Sequence, residues 1–337
     1  MKEKILIIRF SSFGDIVQCM GALKTLKKIY PEGEIHWVTK SEFTPLLNLH
    51  PDVKKVWSLD KGKGIKGLLE ICKILEKENY TLFYDAHSNL RSMLLKFFLF
   101  PPLKSLLVKR KALWITRKKF RLKRFLLFKL RLNLFENPFK GALSYQAPLL
   151  KLKRAPLYLQ KNSWNFDKTV VEKVSSLIFD KSNKIISLAP SAAWKMKRWP
   201  IEYWKKVIEL CPNKKFIILG GPKDYFCQEL EDLFPLRVKN LAGKLNLVES
   251  CFAIQSSETL VSGDTGLLHV ADHLGKNAIA LIGPTAFGYP SGPWVKVLET
   301  NLSCRPCSKD GRGKCRNKVY QNCMIQITPE TVSHYIN

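Results

Sequence analysis

The sequence is poor in acidic residues. Its 337 residues include 28 Asp and Glu against 56 Lys and Arg, which leaves a formal net charge of +28. A charge of that size attracts polyanions, whether nucleic acid, an anionic membrane surface or a phosphorylated substrate. Apolar residues make up 46% of the chain and charged residues 25%, a balance that is ordinary for a globular protein and argues against general disorder. The charge therefore indicates an anionic partner, but it does not distinguish nucleic acid, a membrane surface and a phosphorylated substrate.

The first residues do not show the pattern of a secretory signal, and the sequence contains no long unbroken apolar run. A signal peptide needs an apolar segment and a small-residue cleavage site, whereas here a strand-like run, residues 5–8, follows the first four residues directly. The most apolar stretch, residues 93–108, is interrupted by Lys96, Pro101, Pro102 and Lys104, which makes it a poor membrane span. The nine cysteines occur mostly singly until position 304, as expected for reduced thiols. We expect a cytoplasmic protein that touches a membrane without crossing it.

Strand and helix patterns alternate along both halves of the chain. In the first half, apolar runs alternate with helical patterns such as residues 15–29 and 64–78, and the predicted strands are residues 4–10, 34–39, 54–59 and 81–86. The same rhythm returns in the second half, with strands at residues 184–189, 216–219, 258–261 and 278–282. A chain of this length exceeds the size at which one core keeps growing. The pattern predicts two α/β domains, each with a parallel sheet covered on both faces.

Residues 104–140 differ in composition from the rest. They carry 13 Lys or Arg and one acidic residue, Glu136, interleaved with Leu and Phe. Residues 128–134 alternate like a strand, whereas the part before them also suits a helix. The sequence leaves the structure of this basic segment open.

The first predicted strand ends in a turn at residues 10–15. The turn contains one glycine, Gly14, so it is neither a dinucleotide-binding fingerprint nor a P-loop. Asp15 has two interpretations. It is either a cap at the start of the following helix, where a carboxylate is favoured, or a general base at the carboxyl end of a parallel strand.

A second turn, residues 261–269, joins a buried strand to a helix. Its sequence, Ser262-Gly263-Asp264-Thr265-Gly266, is rich in glycine and hydroxyl groups, and its backbone N–H groups open the helix. Such a turn suits the anionic diphosphate of a nucleotide. The alternative is a plain glycine turn with an Asp cap, in which His269 is a core or capping residue.

A third element, residues 189–200, follows another predicted strand. Small residues come first and the cations Lys195, Lys197 and Arg198 precede Trp199-Pro200. Lys197 suits the neutralisation of a leaving diphosphate. A solvated charge cluster before a helix explains this element equally well when it is taken alone.

Together these elements resemble glycosyltransferase family 9, the lipopolysaccharide heptosyltransferases. The resemblance covers nearly the whole chain. It is carried by residues 7–17, by Lys197-Arg198-Trp199-Pro200, by the run from Gly263 to Ala271, and by Leu281-Ile282-Gly283-Pro284-Thr285.

The resemblance implies an α/β protein of GT-B architecture, with two Rossmann-like domains facing across a cleft. We expect an acceptor-side domain at residues 1–165 with the basic segment as an insert, a nucleotide-sugar-binding domain at residues 166–325 and a terminal helix at residues 326–337. The implied reaction transfers heptose from ADP-L-glycero-D-manno-heptose to the phosphorylated inner core of lipopolysaccharide, with inversion. The basic segment would then bind the inner-membrane surface or the acceptor phosphates, which makes the enzyme peripheral on that membrane. A merely solvated basic surface is the alternative.

The resemblance also implies roles for single residues. The aspartate matching Asp15 is the base, with Ser12, Gly14, His87 and Arg91 on the acceptor side. The nucleotide-sugar is held by Lys197 and by residues of the second turn: Asp264, Thr265, Gly266, Leu267 and His269. Asp224 occupies the neighbourhood of an acidic ribose contact. The chain departs from relatives at Ala192 and Ala193, where hydroxyl residues are common, so Ser191 or backbone N–H groups would contact the phosphates instead. No paired-Asp motif lies near the donor turn, and we expect a metal-independent reaction.

Four cysteines lie close together in a Gly- and Lys-rich stretch, at Cys304, Cys307, Cys315 and Cys323. Four thiols suit a structural Zn²⁺ that stiffens a loop with little core. Only the first pair has the usual spacing of a zinc knuckle, so free or oxidisable thiols are the other interpretation.

Three rival functions remain. A nucleic-acid-binding protein agrees with the charge and the cysteines, but no recognisable module for that role is present and Asp15 and Asp264 would have no use; we expect no nucleic-acid partner. A GT-B enzyme that uses another nucleotide-sugar is a nearer rival, because backbone contacts to phosphate do not identify the sugar. An inactive relative is the third, on account of Ala192 and Ala193.

Overall fold

The computed structural model describes residues 3–60, 62–100, 112–153, 159, 161–180 and 184–337. The chain forms two compact units. The N-terminal unit comprises Met1–Phe120, Ala142–Leu159 and Ser163–Asn165, and the C-terminal unit comprises Arg121–Gly141, Gln160–Asn162 and Phe166–Asn337.

The later part of the basic segment groups with the C-terminal unit, although the sequence placed it as an insert in the first domain. The reason lies in its contacts. The Arg131 guanidinium donates hydrogen bonds to the carbonyl oxygens of Pro306 at 2.6 Å and Ser303 at 2.7 Å, and Phe135 and Phe139 pack edge-on against Phe287. The earlier residues of the segment, 104–111, lie outside the described residues.

The N-terminal unit is built on a five-stranded parallel sheet. Its order is β3-β2-β1-β4-β5, with β1 at Lys4–Ile8, β2 at Glu34–Lys40, β3 at Lys55–Leu59, β4 at Leu82–Asp85 and β5 at Leu113–Thr116. Four of the five residues of β1 are fully buried, as expected for a central parallel strand that is covered on both faces. The strand predictions for β1 to β4 are confirmed to within two residues at each end.

Helices connect these strands. Helix Gly64–Lys77 buries Leu68, Ile71 and Leu75, whose spacing of three and four residues places them on one face. The other described helices of this unit are Phe13–Ile29, Thr44–Asn48, Leu90–Leu99 and Gly141–Gln146, the last beginning at the unit boundary.

The C-terminal unit contains a six-stranded parallel sheet of order β11-β10-β9-β6-β7-β8. Its strands are β6 at Ile185–Ala189, β7 at Lys215–Ile218, β8 at Val238–Asn240, β9 at Thr259–Gly263, β10 at Asn277–Leu281 and β11 at Val295–Leu298. The core on one face joins Trp199 and Trp204 to Val332 and Ile336 of the C-terminal residues, so the predicted terminal helix packs within this unit.

The described α-helices of this unit are Arg121–Phe125, Lys168–Leu177, Ile201–Leu210, Gln228–Leu233, Leu247–Ser256, Gly266–Leu274, Asn322–Ile325 and Pro329–His334. Of these, Lys168–Leu177 and Asn322–Ile325 were not predicted from the sequence. The strand interpretation of residues 128–134 is wrong, because Leu126–Leu130 continues the helix Arg121–Phe125 as a π-helical turn.

Each sheet has one point where the order of strands reverses. In the N-terminal unit, β2 and β3 follow β1 towards one edge of the sheet, and β5 follows β4 towards the other edge, so the order reverses between β1 and β4. In the C-terminal unit the order reverses in the same way between β6 and β9. Open α/β sheets bind ligands beyond the carboxyl ends of such strands. The turn with Asp15 follows β1, and the turn with Asp264 follows β9, so both motifs lie where this topology places ligands.

Among the described residues, no helix combines the length and the apolar character that a membrane crossing requires.

Candidate active site

Asp15 lies in the first turn of helix Phe13–Ile29, directly after β1. Its Oδ2 accepts hydrogen bonds from Arg9 Nη2 at 2.6 Å and from Ser12 Oγ at 2.8 Å, and its Oδ1 accepts one from the Tyr145 hydroxyl at 3.0 Å. The residue at the helix start is Ser12, and its hydroxyl donates to Asp15 instead of capping the backbone. The capping interpretation of Asp15 therefore does not describe this turn.

The surroundings of Asp15 favour its charged form. Partial burial on its own would raise the pKa of this carboxyl, but the Arg9 guanidinium and the hydrogen bonds from Ser12 and Tyr145 hold the pKa well below its usual value. The side chain stays 42% exposed, so one side of the carboxylate remains open to solvent. The group is an accessible carboxylate that is ionised at neutral pH and held in a fixed orientation.

Arg9 and Tyr145 are themselves fixed by neighbouring groups. Arg9 Nη1 donates to the carbonyl oxygen of Ala86 at 2.9 Å, which ties the arginine to the end of β4. The Arg117 guanidinium lies over the Tyr145 ring, 3.9 Å from its centre. The Tyr84 hydroxyl donates to the Tyr145 carbonyl oxygen at 2.6 Å. The side chains around Asp15 were not predicted from the sequence, because Tyr145 is separated from Asp15 by 130 positions and no local pattern links them.

The predicted acceptor-side residues lie at the ends of β1 and β4. The His87 ring packs on Phe10 with centres 5.1 Å apart, and the Arg91 guanidinium lies 5.9 Å from the centre of the same Phe10 ring. Burial and the charge of Arg9 lower the pKa of His87 to about 3, so this ring is neutral near pH 7. Its Nδ1 is buried and bonds to no other atom of the described residues. Ser12 and Gly14 belong to the adjacent turn, so the fold brings all four residues to one edge of the sheet.

The donor turn of the C-terminal unit opens helix Gly266–Leu274. Thr265 occupies the first position, and its hydroxyl accepts from the Leu268 amide at 3.4 Å and contacts the Ser262 hydroxyl at 2.9 Å. The first amides of any helix have no acceptor within it, and here they belong to Gly266 and Leu267. With the positive end of the helix dipole, these amides suit a phosphate oxygen.

Lys197 reaches this turn from the loop after β6. Its Nζ lies 2.5 Å from the carbonyl oxygen of Asp264 and 3.5 Å from the Asp264 carboxylate. His269 Nε2 lies 3.9 Å from the other carboxylate oxygen. The fold thus brings together three residues that the sequence selected from two separate segments, Lys197, Asp264 and His269.

Close backbone approaches leave no room for side chains beside this group. A Cβ at Gly288 would lie 2.0 to 2.3 Å from the carboxylate atoms of Asp264, and a Cβ at Gly311 would lie 2.6 Å from Cγ of Lys197. Gln321 Nε2 donates to the carbonyl oxygens of Lys195 at 2.7 Å and Arg198 at 2.9 Å, which fixes the turn that carries Lys197. These three positions were not predicted from the sequence, since only their spatial neighbours show what they do.

Ser191 and Asp224 contact each other. The Ser191 hydroxyl donates to Asp224 Oδ1 at 2.5 Å, and the Gly221 amide donates to Asp224 Oδ2 at 2.7 Å. Ser191 follows β6 and Asp224 follows β7, so both lie at the carboxyl edge of the same sheet as the donor turn. Ala192 is buried and its carbonyl oxygen accepts from Arg198 Nε at 2.9 Å, so this position supports the loop through its backbone.

The four cysteines of residues 304–323 are free thiols in a long loop and the short helix Asn322–Ile325. Cys315 Sγ accepts from the Gln321 amide at 3.4 Å, and Asn317 Nδ2 lies 3.7 Å from Cys304 Sγ. Within the described part of the chain, no group of three or more His, Cys, Asp or Glu side chains is arranged to hold a metal ion.

Comparisons with known proteins identify the family of this chain. The profile of glycosyltransferase family 9 (heptosyltransferase) matches residues 68–321. Lipooligosaccharide heptosyltransferase 2 of Haemophilus ducreyi is 27% identical over 354 residues, covering 99% of this chain and 98% of that protein.

Solved structures share the fold. The E. coli ADP-heptose lps heptosyltransferase II superposes with a TM-score of 0.73 at 20% identity, covering 100% of this chain and 98% of that one. The E. coli heptosyltransferase WaaC with ADP-2-deoxy-2-fluoro heptose gives a TM-score of 0.68 at 18% identity, with 99% and 98% covered. The predicted fold class is confirmed as GT-B, with one Rossmann-like α/β domain in each unit.

The family profile spans most of the chain, and its match includes the donor turn, Lys197 and the acceptor-side residues after β4. The chain belongs to glycosyltransferase family 9, the heptosyltransferases, and is a glycosyltransferase.

Proposed function

We propose that this enzyme transfers heptose from ADP-L-glycero-D-manno-heptose to the inner core of lipopolysaccharide, with inversion at the anomeric carbon and without a metal ion. Its relatives include lipooligosaccharide and lipopolysaccharide heptosyltransferases, which supports the sugar and the acceptor. The solved relative that contains a fluorinated ADP-heptose supports the nucleotide.

The observation that carries the proposal is the contact between Lys197 and Asp264 at the start of helix Gly266–Leu274. An ammonium group and the first amides of a helix converge there, beyond the carboxyl ends of β6 and β9. Preorganised positive charge of this kind stabilises a diphosphate most strongly when it gains charge as it leaves. Ser191 and Asp224, after the neighbouring strands, would contact the ribose and the phosphates.

The proposed step is a single displacement. The acceptor hydroxyl oxygen forms a bond to the anomeric carbon as the bond from that carbon to the diphosphate oxygen breaks. The hydroxyl proton passes to Asp15, and the electron pair of the broken bond leaves with ADP. Because the pKa of Asp15 lies well below its usual value, the carboxylate is a weak base at rest and takes the proton only as the attacking hydroxyl becomes acidic during bond formation.

The acceptor residues are those beside Asp15. Neutral His87 packs on Phe10 at this edge, and Arg91 and Ser12 add a cation and a hydroxyl for a phosphorylated sugar. The basic residues of the described segment 112–140 add positive charge that attracts an anionic acceptor at the cytoplasmic face of the inner membrane. Nucleic acid is not part of this proposal.

The test is a donor panel with delipidated lipopolysaccharide core as the acceptor. We expect turnover with ADP-heptose, unchanged by EDTA, and a product whose anomeric configuration is opposite to that of the donor by NMR. Retention of configuration, or loss of turnover with EDTA, would contradict the mechanism.

A GT-B transferase that uses another nucleotide-sugar is the second candidate function. It is favoured by the nature of the donor turn, whose backbone amides and Lys197 contact a diphosphate without identifying the sugar. Faster turnover of a different nucleotide-sugar in the same panel would select this candidate.

A further inference from the structure

One face of helix Leu90–Leu99 presents large apolar side chains to solvent. Leu90 is 70% exposed, Met93 61% and Phe97 55%. The spacing of three and four residues places them side by side on the helix. The opposite face, with Leu95 and Leu99, is buried in the core of the N-terminal unit. Single exposed apolar residues are common on protein surfaces, whereas a contiguous group of large ones marks an interaction surface.

The helix that carries this face is firmly anchored. Asn89 and Ser92 form a reciprocal capping box at its start, and the Ser92 hydroxyl also donates to Asp85 Oδ2 at 2.9 Å. Asp85 ends β4, so the helix is fixed to the edge of the sheet that carries Asp15. The exposed apolar residues therefore belong to a well-supported helix and are not the result of a frayed end.

The charged residues of this helix, Arg91 and Lys96, are both cations. Lys96 lies on the exposed side of the helix, and Arg91 lies beside Leu90. Between Asp85 and Glu136 the sequence contains 14 Lys or Arg and no Asp or Glu. Apolar side chains bordered by cations are the features that let a helix lie in the interface of an anionic bilayer. Nucleic acid would use the cations but would leave the three apolar side chains in water.

We propose that the face formed by Leu90, Met93 and Phe97 inserts into the interface of a bilayer that contains anionic lipids, with Arg91 and Lys96 on the headgroups. The face begins beside the acceptor-side residues, since the Arg91 guanidinium lies 5.9 Å from the Phe10 ring centre. Insertion there holds the Asp15 edge of the sheet near a lipid-anchored acceptor. The purpose of this docking rests on the proposed function, whereas the docking itself is measured without any turnover.

The experiment measures binding of the full chain to vesicles of phosphatidylethanolamine and phosphatidylglycerol by sedimentation. We expect salt-sensitive binding that is absent with phosphatidylcholine alone, and a loss of roughly tenfold or more in the partition coefficient for the double variant Met93→Glu, Phe97→Glu. The matched control is Ile65→Glu, which changes an apolar residue with 63% exposure on helix Gly64–Lys77 of the same unit. The control variant is expected to bind as the wild type does.

Several outcomes would overturn the proposal. No binding to anionic vesicles, or equal binding of the double variant and the wild type, would remove this face as the docking site. Wild-type self-association that disappears in the double variant would assign the face to a contact between copies. Turnover on a delipidated, soluble acceptor separates the docking proposal from the proposed function. The double variant should keep this turnover while it loses vesicle binding. If the wild-type enzyme shows no turnover on the soluble acceptor, that result would contradict the proposed function and leave the docking proposal unaffected.

Discussion

The Tyr145 hydroxyl donates a hydrogen bond to Asp15 Oδ1 at 3.0 Å, on the opposite carboxylate oxygen from the Arg9 ion pair. These contacts fix the orientation of the carboxylate and stabilise its charge. A base held in this way is ready at neutral pH and loses its function only under acidic conditions.

Replacement of Tyr145 by Phe tests this positioning role. Loss of a hydrogen bond to the carboxylate raises the pKa of Asp15, so the acidic limb of kcat/KM should move to higher pH, and kcat should fall by about tenfold, in line with the value of a hydrogen bond to a charged group. The measurement is the pH profile of turnover.

The control for this change is Tyr84→Phe. The Tyr84 hydroxyl donates to the backbone carbonyl oxygen of Tyr145 at 2.6 Å, so the variant perturbs the same buried region while leaving the carboxylate contacts in place. We expect lower stability without a shift of the acidic limb. An acidic limb that stays in place in Tyr145→Phe would reduce Tyr145 to a packing residue.

Lys197→Met keeps the length of the side chain and removes its charge. If Lys197 stabilises the leaving diphosphate, kcat/KM should fall by about 100-fold, in the range seen when one preorganised group is removed from a transition state. Lys195→Met is the matched control, because Lys195 is an exposed cation in the same turn. Equal effects of the two changes on steady-state turnover would contradict the role of Lys197.

Gly288→Ala tests whether the position of Asp264 matters for the donor. The new Cβ would lie within 2.0 to 2.3 Å of the Asp264 carboxylate atoms, which forces that side chain to move. We expect the Kd for ADP to rise by roughly tenfold, equivalent to about 1.4 kcal/mol. Gly62→Ala serves as control, since its nearest neighbour would be 3.5 Å away. Calorimetric titration with ADP decides, and an unchanged affinity would make Asp264 dispensable for nucleotide binding.

The cysteine loop provides a prediction about metal content. Because only Cys304 and Cys307 have the spacing of a zinc knuckle, we expect protein purified without chelator to hold no stoichiometric zinc or iron. Elemental analysis of the wild type and of the variant Cys304→Ser, Cys307→Ser should give the same result. One metal ion per chain that is lost in this variant would show that the thiols rearrange into a site.

The sequence predicted the strands around the two turns well because they are buried on both faces and form continuous apolar runs, as in β1 and β9. It missed β5 within the basic segment and the short strands β8 and β11. These strands have three or four residues and lie at the edges of the sheets, and so short a segment cannot show the alternation of apolar and polar residues that is typical of a strand. Pairing with the neighbouring strand determines their conformation instead.

In the candidate site, too, some residues were predicted from the sequence and others were not. Asp15, Lys197 and Asp264 were selected because each follows an apolar strand in a turn with a chemical group suited to its task. Tyr145, Gly288 and Gln321 were not selected, since their contacts join positions far apart in the chain. The hydrogen bond between Tyr145 and Asp15 joins residues 130 positions apart, and such a contact produces no pattern in a single sequence.

The most direct test of this account is the turnover of ADP-heptose by Asp15→Asn, with donor affinity measured on the same protein. The amide keeps the shape of the side chain but cannot take a proton, so kcat should fall by about 10² to 10⁴. The Kd for the donor should stay unchanged, because the donor residues belong to the C-terminal unit. Turnover close to that of the wild type would contradict the assignment of Asp15 as the base.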